Sequence, residues 1–282
     1  MQVTMNNHNN NTYEAMFDDL IKETFGFSFI PWFERKLWDE RYESYSIIEN
    51  DKMLANVCIF KTDMIVCGKQ FRAHQFGAVA TRKSERGKGL SRLLMEYVLS
   101  KYPDIPAFLA ANPGVIDFYP RFGFRRVQTY RPEIITQINN APDKAVKLSP
   151  DDALVLKALQ ERGAYSRTLD SLNTQSVQIF HLILDYPDRI YHLPGCGAVV
   201  VADQEGDTLF IADIIVQVPI TFDEVKRELP ISGVCRVKYG FCPDWLDIVP
   251  EWNPIDMDKS PFFIRGDWNL SEKYRFPIMS ET

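Results

Sequence analysis

SERGKGLSRLL, Ser84 to Leu94, places two glycines between an arginine and a lysine at the point where a helix begins. Behind it, Leu90, Leu93, Leu94, Tyr97 and Val98 recur at i, i+3, i+4, i+7 and i+8, the apolar stripe of an amphipathic helix. Ahead of it, QFRAHQFGAVAT (Gln70–Thr81) reads as a strand. A helix start leaves N–H groups unpaired at the positive end of its dipole, and glycine lacks the Cβ that would hold a phosphate away. Arg86-Gly87-Lys88-Gly89 therefore suits a diphosphate cradle with two added charges. On these residues alone, a surface turn that carries glycines fits as well. The stretch is not a P-loop, because one residue separates the glycines. Nor is it GxGxxG, because Arg92 stands where the third glycine belongs.

Upstream, FDDLIKETFGF (Phe17–Phe27) predicts a helix stopped near Gly26, and PWFERKLWDERY (Pro31–Tyr42) a second helix opened by proline. ESYSIIEND and KMLANVCIFKTDM predict two strands joined at Asn50-Asp51. Downstream, AFLAAN predicts a short buried strand, VIDFYPRF a short helix and GFRRVQTYR a closing strand. QINNAPDKAVKLSPDD (Gln137–Asp152) is polar and aperiodic and marks a boundary. Beyond it, helices over DALVLKALQER, SVQIFHLILDY and FDEVKREL and strands over CGAVVVAD, TLFIADIIVQ and CRVKYGF repeat the style of the first half, without its glycine motif.

With these neighbours in view, the first half resembles the GNAT superfamily of acyl-CoA-dependent N-acetyltransferases. Arg86-Gly87-Lys88-Gly89-Leu90-Ser91 fits the signature Q/R-x-x-G-x-G/A, with Ser91 in the small-residue slot as a departure. GAVAT (residues 77–81) resembles the strand that pairs with the pantetheine arm. ANPGVIDFYPRFGF resembles the N-x5-F-Y-x3-G-F stretch, with Asn112, Phe118, Tyr119, Gly123 and Phe124 in the matching places. The second half resembles, loosely, the later portion of the two-lobed enhanced-intracellular-survival acetyltransferases.

The resemblance implies an α/β fold with a mixed sheet: a tail over 1–12, an acetyltransferase lobe over 13–135, a linker over 136–152 and a degenerate acetyltransferase-like lobe over 153–282. It implies acetyl-CoA as co-substrate and an acetyl group moved to an amine of a small molecule, cationic ones included, or of a peptide. The rival reading is an inactive acyl-CoA-binding or regulatory module. Val79, Ala80, Thr81, Arg86, Gly87, Lys88, Gly89, Leu90, Ser91 and Asn112 are the cofactor-binding residues so implied. Tyr119 is implied as the acid that returns a proton to the leaving sulfur; its spacing alone equally suits a packing aromatic. A base is not identified. His74 is the one histidine near the expected cleft, with Glu23 and Asp117 as weaker candidates. In the two-lobed relatives the C-terminal carboxylate nears the catalytic centre, which adds Thr282.

The rest of the sequence bounds this reading. A net charge of −6 argues against nucleic acid or an anionic membrane as partner and tilts towards a cationic ligand. Five cysteines without a CxxC pair are expected to be reduced thiols in a cytoplasmic protein, and the scattered histidines offer no metal site. No leader or membrane span is expected. Cys196, between two glycines, reads as inert. Phe241, Trp245, Trp252, Phe262, Phe263 and Trp268 read as core and inter-lobe packing, with a cleft wall as the alternative, and PFFIRGDWN is placed near the first lobe's cleft. Oligomeric state is left open.

Overall fold

The computed structural model describes residues 2–6, 10–140 and 144–282. Strand β1 (Val3–Asn6) precedes helices α1 (Asn11–Phe25) and α2 (Ile30–Glu34), followed by strands β2 (Tyr42–Glu49), β3 (Lys52–Val66) and β4 (Lys69–Thr81). Helix α3 (Leu90–Lys101) then leads to β5 (Ala107–Ala110) and β6 (Arg125–Val127). The remainder comprises β7 (Tyr130–Asn139), β8 (Val146–Leu148), α4 (Ala153–Gln160), β9 (Leu169–Leu172), α5 (Gln175–Leu184), β10 (Ile190–Leu193), β11 (Ala198–Glu205), β12 (Thr208–Ile215), α6 (Phe222–Glu228), β13 (Ser232–Tyr239), β14 (Glu251–Pro254) and β15 (Phe262–Arg265).

Local chemistry sets the first elements. Asn10 caps α1 by accepting from the Tyr13 N–H at 3.0 Å, and Gly26, at φ +84°, ends it. Asn50 and Asp51 both adopt positive φ, which the tight β2–β3 hairpin turn requires. The period of two in β3 then separates two cores. Val57 and Ile59 face Leu90, Leu94, Met95 and Val98 of α3, whereas Cys58 and Phe60 face Phe17, Leu20 and Ile21 of α1. The buried side of α3 is thus Leu90, Leu94, Met95 and Val98; Leu93 and Tyr97, expected in the stripe, are exposed.

The first sheet runs β1-β2-β3-β4-β5-β15-β6, with β9 paired to the far end of β3, and the second runs β14-β7-β13-β12-β11-β10-β8. This mixed α/β arrangement in two lobes is the expected architecture, but the boundaries differ. Val3–Asn6 of the expected tail pairs with Ser44–Ile47, and Val3 packs against the α3 core. Residues 1 and 7–9 of that tail, including His8, lie outside the described residues, as do 141–143 of the expected linker. The closing strand divides: Arg125–Val127 stays in the first sheet, while Tyr130–Asn139 runs through the expected 135/136 boundary into the second. The second half returns two strands to the first sheet, β9 against β3 and β15 between β5 and β6. PFFIRGDWN therefore does reach the first lobe. Helix α5 lies between the sheets, with Val177 in the α1 core and Ile179 and Leu182 in the second lobe's core.

The lobes share one device. In the first, α3 crosses over between the parallel strands β4 and β5; in the second, α6 crosses between the parallel strands β12 and β13. Their helix starts differ. Thr221 and Glu224 form a reciprocal capping box that occupies the first amides of α6, whereas α3 begins at Gly89 with no side-chain cap.

Candidate active site

Strands β4 and β5 pair only at His74–Ala107 and Gln75–Phe108 and then separate. From Phe76 to Thr81 and from Ala110 to Asn112 the two backbones flank a cavity of about 860 Å³. A bulge in β4 widens it: the register against β3 slips between Asn56 and Cys58, and Ala78 takes φ +47°. Left-handed backbone at an alanine has to be held, and Asn56 holds it. Its amide donates to the Ala78 carbonyl at 3.0 Å, while its oxygen accepts from Ser44 and Ser46. Val79 and Thr81 line the cavity; Ala80 points the other way into the α1 core and is withdrawn as a side-chain contact.

At one end of the cavity lie Arg86, Gly87, Gly89, Leu90, Ser91 and Arg92. Gly87 and Gly89 sit at φ +80° and +79°, and a Cβ built on either would meet nothing within 4 Å. The uncapped amides of α3 thus open onto empty space framed by arginines, the arrangement a diphosphate needs. Lys88 does not line the cavity. Its ammonium is held by Glu85 at 2.8 Å, so it supplies no free charge to the cavity. Behind the loop, buried Arg82 pairs with Asp19 and Glu23, and Glu23 also accepts from the Lys83 N–H at 2.8 Å. Glu23 therefore anchors the loop to α1 and is not a base.

Tyr119 and Asn112 line the same cavity. The Tyr119 ring packs against Phe118, Phe124 and Phe263, the last at 5.5 Å, and burial pushes its phenol up to about 12, so it stays protonated at neutral pH. His74 is elsewhere. It is buried outside the cavity with its ring edge-on to Tyr102 at 4.6 Å, and burial pushes it down to about 4. A strand's alternation puts it on the α3 side next to the paired part of β5, so the expectation of a catalytic histidine is corrected. Asp117 does not line the cavity either; its carbonyl accepts from Arg121.

Thr282 does reach the cavity. A Cβ on Gly77 would come within 3.0 Å of the Thr282 Cβ, so only glycine admits the segment there. With its amide turned to satisfy both neighbours, Gln75 donates to the Ser280 carbonyl at 2.9 Å and accepts from the Thr282 N–H at 2.5 Å. The hydroxyls of Thr24 and Thr282, both in the lining, are buried without a partner. In the second lobe the same final segment closes the corresponding gap: Ile278 packs onto Gly240, and its N–H donates to the Gly240 carbonyl at 2.9 Å.

The sequence did not reveal the far wall. It is built from Ile21, Phe25, Phe27, Phe29, Trp32 and Phe180, none of them expected there. The alternating FGFSF after the helix stop at Gly26 was a local signal for part of it; nothing local pointed to Phe180. Phe241, Trp245, Trp252, Phe262, Phe263 and Trp268 are packing residues of three cores, and none of them lines the cavity.

Residues 8–127 match the acetyltransferase (GNAT) domain family. Over that stretch the chain is similar to a GNAT acetyltransferase domain. Outside that match the likeness is one of fold. A probable N-acyltransferase from Enterococcus faecalis superposes with a TM-score of 0.56 at 14% identity over 94% of this chain and 73% of that one. Eis1 from Mycobacterium abscessus gives 0.58 at 13% identity over 93% and 73%. A putative acetyltransferase from Pyrococcus horikoshii gives 0.52 at 10% identity over 99% and 96%. No curated protein sequence matches. The open glycine turn, the bulged β4 and Tyr119 all belong to the GNAT domain or its immediate edge, while Phe180 and Thr282 come to its cavity from the second lobe.

Proposed function

We propose that the protein is an acetyl-CoA-dependent N-acetyltransferase that transfers the acetyl group directly to an amine. The single observation that carries this reading is the continuity of the cavity from the uncapped glycine turn of α3 to the buried phenol of Tyr119.

Acetyl-CoA, when bound, supplies the activated thioester. The amides of Gly87, Gly89, Leu90 and Ser91 bind the diphosphate, with Arg86 adding charge, and Thr81 and Asn112 border the pantetheine path. Unfastened from β5, the β4 edge at Val79 offers main-chain N–H groups to the thioester carbonyl, where negative charge grows as the amine attacks. Tyr119 donates its proton to the departing sulfur. An ordinary thiol, with a pKa near 8.5, is a stronger acid than a phenol held near 12, so the transfer is uphill until the apolar site also raises the basicity of the departing thiolate; the proton shed by the attacking nitrogen then restores the phenol. Gln75 and Gly77 seat the Thr282 segment beside the reacting centre.

Incubation with acetyl-CoA and an amine panel, with free thiol as the readout, tests the assignment. Tyr119→Phe should lower kcat by roughly a hundredfold with little change in coenzyme A affinity, the size expected for loss of a general acid. Unchanged kcat would refute the acid role. Coenzyme A binding without thiol release across the panel would favour the inactive module.

A further inference from the structure

Resting on the acetyltransferase reading, we infer that the acceptor is a primary monoamine carried on an aromatic or bulky apolar body, and that the α1–α2 connection together with α5 selects it. The cavity is chemically divided. Its cationic side chains, Arg86, Arg92 and Arg121, belong to the α3 turn and to the Tyr119 segment. Opposite them, Phe25, Phe27, Phe29, Trp32 and Phe180 form a continuous aromatic wall, with Phe29 stacked on Phe180 at 4.7 Å and Phe27 edge-on to it at 5.8 Å. Among the described residues, one side-chain carboxylate lines the cavity, Glu85, and it is occupied by Lys88 at the glycine turn.

That division decides between classes of amine. An alkylammonium ion entering against an apolar wall sheds its proton more easily, because burial disfavours the cation; this delivers the neutral nucleophile. A second ammonium group, as in a polyamine, would be buried against the aromatic wall, whose side chains carry no carboxylate to meet it. An amino acid would bring its own carboxylate against phenyl rings, away from the arginines. An aromatic monoamine leaves no buried charge behind and stacks on the wall. The net charge of −6, which tilts towards polycations, is a property of the outer surface and not of this cavity. Two-lobe construction makes the selection: Trp32 Nε1 donates to the Ser176 carbonyl at 2.7 Å, so the α2 segment and α5 are locked together and the rings they carry form one surface.

The test measures kcat/KM for thiol release from acetyl-CoA with phenethylamine, tryptamine, cadaverine, spermidine and lysine, and repeats phenethylamine with butyryl- and octanoyl-CoA. The inference expects the two arylalkylamines to exceed the diamine, polyamine and amino acid by at least roughly a hundredfold. It also expects Phe27→Glu, at the exposed rim of the wall, to narrow that ratio by roughly tenfold while coenzyme A affinity, as the folding control, holds. Equal or better turnover of spermidine or lysine overturns it. Flat amine selectivity with a steep preference for longer acyl chains also overturns it, assigning the wall to the acyl group. Thiol release with none of the amines, in a protein that binds coenzyme A, overturns the acetyltransferase reading itself.

Discussion

His74 and Tyr119 are both buried titratable residues near one strand, yet only one faces the cavity. For His74 the consequence is one of stability. Its folded pKa, near 4, lies below the ordinary value of 6.5, so between those values the unfolded chain binds more protons than the native one. Stability therefore rises with pH across that window and is lost as pH falls from about 6.5 to about 4, by on the order of 3 kcal/mol. Urea unfolding at pH 7 and pH 4.5 should show this loss in the native protein and a smaller one in His74→Gln, whereas identical losses would contradict the account. At this scale the sequence was legible where function is local. The glycine turn, Asn112 and Tyr119 lie within one stretch that the resemblance to the GNAT superfamily picks out, although on residue type alone a surface turn and a packing aromatic fit as well. His74 misled because alternation assigns faces only relative to a neighbour, and nothing in the strand says which face meets the gap. Asn56 was silent for a related reason: its role exists only because Ala78, on the neighbouring strand, holds a positive φ.

The elements explain why two similar crossovers give one site. Helix α3 starts at a glycine with its amides free, and α6 starts with them consumed by Thr221 and Glu224. Gly89→Val forces a branched side chain into left-handed backbone at a strain of roughly 1–3 kcal/mol, and it also fills the cradle. It should weaken coenzyme A binding in calorimetry by at least roughly tenfold. Thr221→Ala should instead cost about 1 kcal/mol of stability by loss of the cap and leave coenzyme A affinity alone. Equal effects of the two substitutions on affinity would contradict the division of labour. Helix and strand positions were largely readable from periodicity and turn residues. The second helix was not: it stops at Glu34, and Lys36 turns to positive φ where the sequence reading carries on to Tyr42.

At the scale of the whole molecule, the lobes are not beads on a linker. β15 stands between β5 and β6, and β9 extends β3, so the first sheet is completed by strands from the other half of the chain. Pairings of that range leave no local trace, which is why the expected boundary at 136–152 misplaced the division. Ending the chain at residue 152 would strip β6 of β15, its one strand partner among the described residues, and remove Phe180 and Thr282 from the cavity. That fragment should neither unfold cooperatively nor bind coenzyme A; a fragment with native-like affinity would show that the second lobe is dispensable. The same architecture gives the cavity part of its aromatic wall, since Phe180 is brought by a helix lying between the sheets.

The central claim is that a diphosphate is gripped by the free amides at the start of α3 so that a thioester lies beside Tyr119. A crystal structure of the protein with coenzyme A measures this directly. The account predicts diphosphate oxygens within hydrogen-bonding distance of the Gly87–Ser91 amides and the sulfur between Val79 and Tyr119. Coenzyme A bound at another place, or failing to bind at all, would contradict it.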